Sequence, residues 1–230
     1  MIKTGFFKSG KEDIFFEKWI VQGVSCTTLV LHGAGKSDSS RTFGLRKYLL
    51  SIGIPTLAID FSGHGKSTHR TPLSIEKRIQ EASDAIKVLD SEKDLSLCAF
   101  SMSGEVSLRI ASHISIKNLF LFAPGIYDKE VIGQEFGEYF SESIRRHESW
   151  KNHSHYTQLK DYCGNIVLFT PEYDEVIPEG VNEIIMNLAP NAKKERIIIP
   201  GAPHMIGKWM NEYPEKIHEI GKNISQYYKK

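Results

Sequence analysis

Leu95-Ser96-Leu97-Cys98-Ala99-Phe100-Ser101-Met102-Ser103-Gly104 is the stretch that decides the fold of this chain of 230 residues. Its first six residues are a short apolar run of the kind buried on both faces of a sheet, and residues 105–113 after it are helix-like. The serines between them therefore fall in a tight strand-to-helix turn. Such a turn pushes the Oγ of its central serine above the sheet and aims the next helix N-terminus at it, the geometry of a nucleophile elbow. A serine there also serves as an ordinary helix N-cap, so the segment alone leaves both readings open. Centred on Ser101, the flanking small positions are Ala99 and Ser103, where the usual spacing G-x-S-x-G has glycine, with Gly104 one place further on. Centring on Ser103 would put Glu105 where a small residue is needed, so Ser101 is the candidate nucleophile and Ser103 a packing residue.

Five more runs resemble the first: residues 28–31, 56–59, 118–122, 165–169 and 196–199. Between them lie segments with helical periodicity. Ile75, Ile79, Ala82, Ile86 and Leu89 form one stripe; Leu45, Tyr48, Leu49 and Ile52 form another before Gly53. Val181, Ile184, Ile185 and Leu188 stop at Pro190, and Ile217, Ile220, Ile224 and Tyr227 are entered through Pro214. Strand and helix alternating some six times imply an α/β fold, a doubly wound and mostly parallel sheet with right-handed crossovers. Residues 5–9 and 13–21 flank Ser9-Gly10-Lys11 and read as an antiparallel hairpin on the sheet edge. No repeat, low-complexity tract or linker interrupts the chain, so a single domain over residues 1–230 is expected.

Charge excludes more than it suggests. Lys and Arg number 29 against 28 Asp and Glu, a formal net charge of +1 that offers no footprint for nucleic acid or anionic lipid. Cys26, Cys98 and Cys163 are too few and too far apart for a disulfide scaffold or a zinc cluster, and are expected to be reduced. No signal-peptide core is visible around Lys3, Lys8 and Lys11, and no apolar stretch is long enough to span a membrane, so a cytoplasmic protein is the default. Function has to be sought in the loops after the strands, where ligands of such sheets bind.

Two of those loops complete a constellation. After residues 165–169 comes Thr170-Pro171-Glu172-Tyr173-Asp174-Glu175-Val176-Ile177-Pro178; after residues 196–199 comes Pro200-Gly201-Ala202-Pro203-His204-Met205. Ser101, Asp174 and His204 thus follow one another in the chain order Ser, Asp, His, each after an expected strand. Glu172 and Glu175 compete with Asp174 for the acid, and Asp128, after residues 118–122, is a rival. His147, His153 and His155 form a cluster with no carboxylate or cysteine framework, read as a solvated polar face and not as a metal set.

With these residues in place, the sequence resembles the α/β-hydrolase superfamily over essentially its whole length, most of all the serine-hydrolase branch of monoacylglycerol-lipase-like enzymes, carboxylesterases and serine aminopeptidases. His32-Gly33-Ala34-Gly35 looks like the family's His-Gly oxyanion loop. Asp60-Phe61-Ser62-Gly63-His64-Gly65-Lys66-Ser67 looks like its D-x-x-G-H-G-x-S stretch. Ala99 to Gly104 is similar to its elbow, and residues 174–178 are similar to its acid loop D-x-x-V-P. The resemblance implies Ser101 as nucleophile, His204 as general base, Asp174 as the orienting acid, and the amides of Met102 and Ala34 as oxyanion donors. His32 and His64 would shape loops. Residues 125–162, which carry Tyr127, Phe136, Tyr139, Phe140, Trp150 and Tyr156, would form a short aromatic cap. The implied activity is cofactor-free hydrolysis of carboxylic esters of small to medium size. Amide, peptide or thioester substrates share the triad, and a non-catalytic binding protein could share the scaffold.

Overall fold

The computed structural model describes residues 1–228; of Tyr156 the side chain lies outside the described residues. The apolar runs line up as one eight-stranded sheet of order β1-β2-β4-β3-β5-β6-β7-β8. β1 (Ile2–Ser9) and β2 (Glu12–Trp19) are the antiparallel hairpin. It turns at Gly10, whose φ of +55° favours a residue without Cβ. β2 joins β4 (Thr56–Ile59) antiparallel, and every other pairing, through β3 (Thr28–Leu31), β5 (Leu95–Phe100), β6 (Ile116–Phe122), β7 (Asn165–Tyr173) and β8 (Lys193–Pro203), is parallel.

Strand side chains alternate between faces, and two apolar cores result. Leu29, Leu31, Leu97, Ala99, Leu119 and Leu121 point to one side, covered by α2 (Ile75–Ile86), α3 (Ser103–Ala111) and α6 (Glu179–Asn187). Val30, Cys98, Phe100, Phe120 and Phe122 point to the other, under α1 (Phe43–Ser51), α7 (Ile206–Glu212) and α8 (Ile217–Ser225). Across neighbouring strands Phe100, Phe122 and Phe169 stack with ring centroids 4.5 Å apart at each step. Residues 123–164 carry a 3-10 turn (Lys129–Val131), α4 (Glu138–Arg145) and the single turn α5 (His155–Gln158).

The differences from the sequence expectation lie at ends and in short elements. The hairpin strands begin and end a few residues earlier or later, and β7 and β8 run on to Tyr173 and Pro203 past a register shift near Pro171. The helix α7 was not expected. It has only seven residues, too few for a periodic stripe to be read, and packs on α1 through Gly44, where a Cβ would lie 2.9 Å from the Met210 carbonyl. Among the described residues, no helix is long and apolar enough to cross a membrane.

Candidate active site

β5 ends by delivering Ser101 into a left-handed backbone conformation, φ +50°, which a non-glycine residue holds only where the surroundings enforce it. Three main-chain bonds do so. The Ser101 N–H donates to Phe122 O at 2.9 Å, and its carbonyl accepts from Gly104 N at 2.8 Å and Gly125 N at 3.0 Å. A Cβ at Gly104 would strike Pro124 at 2.4 Å, so that glycine is needed for the turn to close, and one at Gly33 would crowd Ser101 Cβ at 3.2 Å from the loop after β3.

The carboxyl ends of β7 and β8 bring the other two residues in. Ser101 Oγ lies 3.1 Å from His204 Nε2, and His204 Nδ1 lies 3.0 and 3.1 Å from the two oxygens of Asp174. Asp174 Oδ1 also accepts from the amides of Val176 and Ile177 at 2.9 Å each. Burial pushes this carboxyl up, but the His204 bond and the two amides outweigh burial and hold it below the usual aspartate range. An ionised Asp174 requires the proton on Nδ1, which leaves Nε2 to accept from the serine. The rival acids are elsewhere. Asp128 caps the 3-10 turn through Glu130 N at 2.9 Å, Glu172 accepts from Gly201 N at 2.7 Å, and Glu175 is exposed.

A cavity of about 250 Å³ opens over Ser101, lined by Ala34, Met102, Phe122, Tyr127, Ile144 and His204 among others. Ala34 and Met102 thus share the site with the serine, and among the described residues neither of their amides donates to a protein acceptor. A hollow of about 500 Å³ at the opposite ends of β3 and β4, beside Thr28, Pro55 and Tyr228, touches none of these residues.

No family model matches this sequence. No curated protein matches it either. Solved structures match over nearly the full length. A bromoperoxidase from Bacillus anthracis superimposes with a TM-score of 0.72 at 14% identity, covering 99% of this chain and 100% of that one. Est1E from Butyrivibrio proteoclasticus, solved with ferulic acid bound, gives 0.70 at 17% identity, with 98% and 100% covered. A thioesterase domain from the curacin biosynthetic pathway gives 0.69 at 15%, with 95% and 99% covered. The chain has the α/β-hydrolase fold.

Within the α/β-hydrolase fold, the departures at the elbow have a structural account. Ser103, standing where glycine is usual, is buried and donates its hydroxyl to the His32 carbonyl at 2.6 Å, tying the elbow helix to the loop after β3. Ala99 is buried between Leu31 of β3 and Leu121 of β6. The histidines of the two resembling motifs brace the same loop. His32 Nε2 accepts from Phe61 N at 3.1 Å, so Nδ1 donates to Gly33 O at 2.8 Å. Burial, with Arg78 and His64 nearby, keeps the His32 ring far less basic than usual. His64 Nδ1 faces Ser62 O at 2.9 Å while its Nε2 faces Arg78 Nη2 at 3.1 Å. Asp60 accepts from Ser39 N at 2.8 Å and Lys66 N at 2.9 Å, and leaves no room for a Cβ at Gly65.

Two groups near the site escaped sequence reasoning. Arg78 is buried, donates to Gly33 O at 3.1 Å and stacks over Phe61 at 4.6 Å; burial pushes its guanidinium down to about 10. Its phase was the available signal, since it lies three residues after Ile75 and four before Ala82 on the buried stripe. The second is a correction. The histidine cluster is a solvated face only at His147, which is exposed: His155 is fully buried, with Nε2 3.0 Å from Glu105 Oε2, and its ring stacks on His153 with centroids 5.6 Å apart. Glu105, also buried, holds Arg109 Nε at 2.6 Å and accepts from Tyr127 N at 3.0 Å. Burial raises this carboxyl and its basic partners lower it further, for a net depression. A charged helix residue that bonds to a distant loop leaves no mark in local periodicity.

Proposed function

We propose that this protein is a serine hydrolase that cleaves carboxylic esters of small to medium size through Ser101, His204 and Asp174. The observation that carries the proposal is the unbroken relay from Ser101 Oγ to His204 to Asp174, at 3.1 and 3.0 Å, with the serine held at positive φ. Ser101 Oγ attacks the ester carbonyl carbon as its proton passes to His204 Nε2; Asp174 keeps the imidazole in the right tautomer and stabilises the imidazolium. The amides of Met102 and Ala34 take the developing oxyanion, each contributing about 3 kcal/mol to transition-state stabilisation. His204 then protonates the leaving alcohol, and water activated by the same ring releases the acid. No step draws on a cofactor. Residues 125–162 serve as the cap, supplying Tyr127 and Ile144 to the pocket wall.

The test is covalent. A fluorophosphonate probe should label the wild-type protein and leave Ser101→Ala unlabelled, and the wild type should release p-nitrophenol from a short-chain ester while Ser101→Ala does not. Absent labelling of folded wild-type protein would overturn the reading in favour of a silent binding protein.

A further inference from the structure

The cavity over Ser101 has an uneven charge. Arg41, from the 3-10 turn Ser39–Thr42, and Lys208, from α7, both line it, whereas no aspartate or glutamate does among the described residues. The imbalance is local, since the whole chain carries 29 basic and 28 acidic side chains. The two cations come from elements pressed together: a Cβ at Gly207, next to Lys208, would sit 2.8 Å from the Arg41 carbonyl oxygen. The Arg41 guanidinium donates to the Lys36 carbonyl at 3.3 Å and enters no ion pair among the described residues. Lys208 reaches Glu212 at 3.5 Å, but both side chains are more than half exposed, and such a pair is weak in water. Phe100, Met102, Phe122, Ile144 and Ile206 supply the apolar part of the wall. Two cations without a carboxylate, at the edge of an apolar slot, are arranged to receive an anion; a guanidinium fork suits the paired oxygens of a carboxylate or phosphate.

We propose that Arg41 and Lys208 form an anion subsite, and that the pocket selects esters or thioesters bearing a carboxylate or phosphate at the end away from the scissile carbonyl. This rests on the hydrolase reading above and names its substrate class. The chemistry stays balanced: the Ser101 Oγ–carbon bond forms, the carbon–oxygen or carbon–sulfur bond breaks, the serine proton goes to the leaving group through His204, and water restores the hydroxyl and yields the acid.

The experiment compares substrate pairs that differ in charge. Monomethyl glutarate is set against dimethyl glutarate for a carboxylate, and butyryl-CoA against S-butyryl-N-acetylcysteamine for phosphate. In at least one pair the anionic member should have the higher kcat/KM by about tenfold, as one or two charge-assisted contacts at a water-accessible site allow. Arg41→Gln combined with Lys208→Gln should bring that ratio close to one, and Arg41→Lys should retain part of it. Because the readout is a ratio within one protein preparation, a general loss of activity leaves it unaffected. Neutral members cleaved as well as anionic ones by the wild type would overturn the subsite while leaving the hydrolase intact, as would a preference that survives the double substitution. No cleavage of any of the four would overturn the hydrolase reading and the subsite together.

Discussion

Glu12 and Asp174 both have side chains largely withdrawn from water and pKa values held below the ordinary carboxylate range, yet their surroundings differ. Glu12, at the start of β2, has every lone pair taken. It accepts from Thr68 Oγ1, Arg70 N, Thr71 N, Thr71 Oγ1 and Lys77 Nζ, at 2.6 to 3.0 Å, and so ties the hairpin to the loop before α2 and to α2 itself. Asp174 shares one oxygen between its own loop and the imidazole and turns the other to the imidazole alone. A carboxylate saturated by fixed donors is a knot in the fold. One that faces a titratable partner, itself in contact with a serine, is arranged to stabilise a charge that comes and goes.

The sharpest way to break this comparison is to neutralise each carboxylate without changing its shape. Asp174→Asn should lower kcat for ester hydrolysis by about 10⁴-fold, since an amide nitrogen favours the wrong tautomer of His204, while the thermal midpoint stays close to wild type. Turnover within a few-fold of wild type in steady-state assays would remove Asp174 from the relay. Glu12→Gln should do the reverse. Leaving Lys77 and a set of aligned donors without their anion should cost about 2–4 kcal/mol in denaturant unfolding, with ester turnover by the folded fraction little affected.

Acid sharpens the contrast. Burial raises the Glu12 carboxyl, but its hydrogen bonds more than reverse this and set it well below the ordinary range of about 4.3. A group with a depressed folded pKa stabilises the fold fully above its unfolded value, and that stability is lost as pH falls through the folded value. Unfolding free energy measured from pH 6 downward should therefore begin to decline near pH 4.5 in the wild type. Glu12→Gln should show a shallower acid limb by up to one proton. Parallel limbs would mean that Glu12 is not held as the structure implies.

What could be read from the sequence follows the same division. β3, β4 and β5 fall where their apolar runs do, because a strand buried on both faces is built mainly from apolar side chains, with one small hydroxyl residue in each. That Ser101, Asp174 and His204 would meet could be read because each follows a strand, and a parallel sheet gathers its strand ends at one edge. Glu105 and His155 could not, and for Arg78 the helical phase marks burial but not what the guanidinium meets. Their partners lie 50 residues away from Glu105 in one case and 45 from Arg78 in another, so nothing in the neighbouring residues explains a buried charge. α7 was hidden by its brevity, and with it the place of Lys208 at the pocket. The hairpin was visible as a hairpin, whereas the function of Glu12 within it depends on residues 68–77, which a local pattern cannot connect to it.

Ser103 gives the smallest effect and the finest distinction. Its hydroxyl sits in the elbow helix but bonds to the carbonyl of His32, the residue before Gly33 and Ala34 in the loop after β3. Ser103→Ala removes a donor from a buried carbonyl and should cost about 1–2 kcal/mol of stability. If the bond also positions the Ala34 amide, kcat should fall severalfold with KM nearly constant, because an oxyanion donor acts mainly in the transition state. Ser103→Gly, restoring the residue more usual at this place, should behave like Ser103→Ala in kcat and lose slightly more stability through helix propensity. A stability loss with kcat unchanged in both variants would make Ser103 another Glu12, a fastening of the fold that happens to lie beside Ser101.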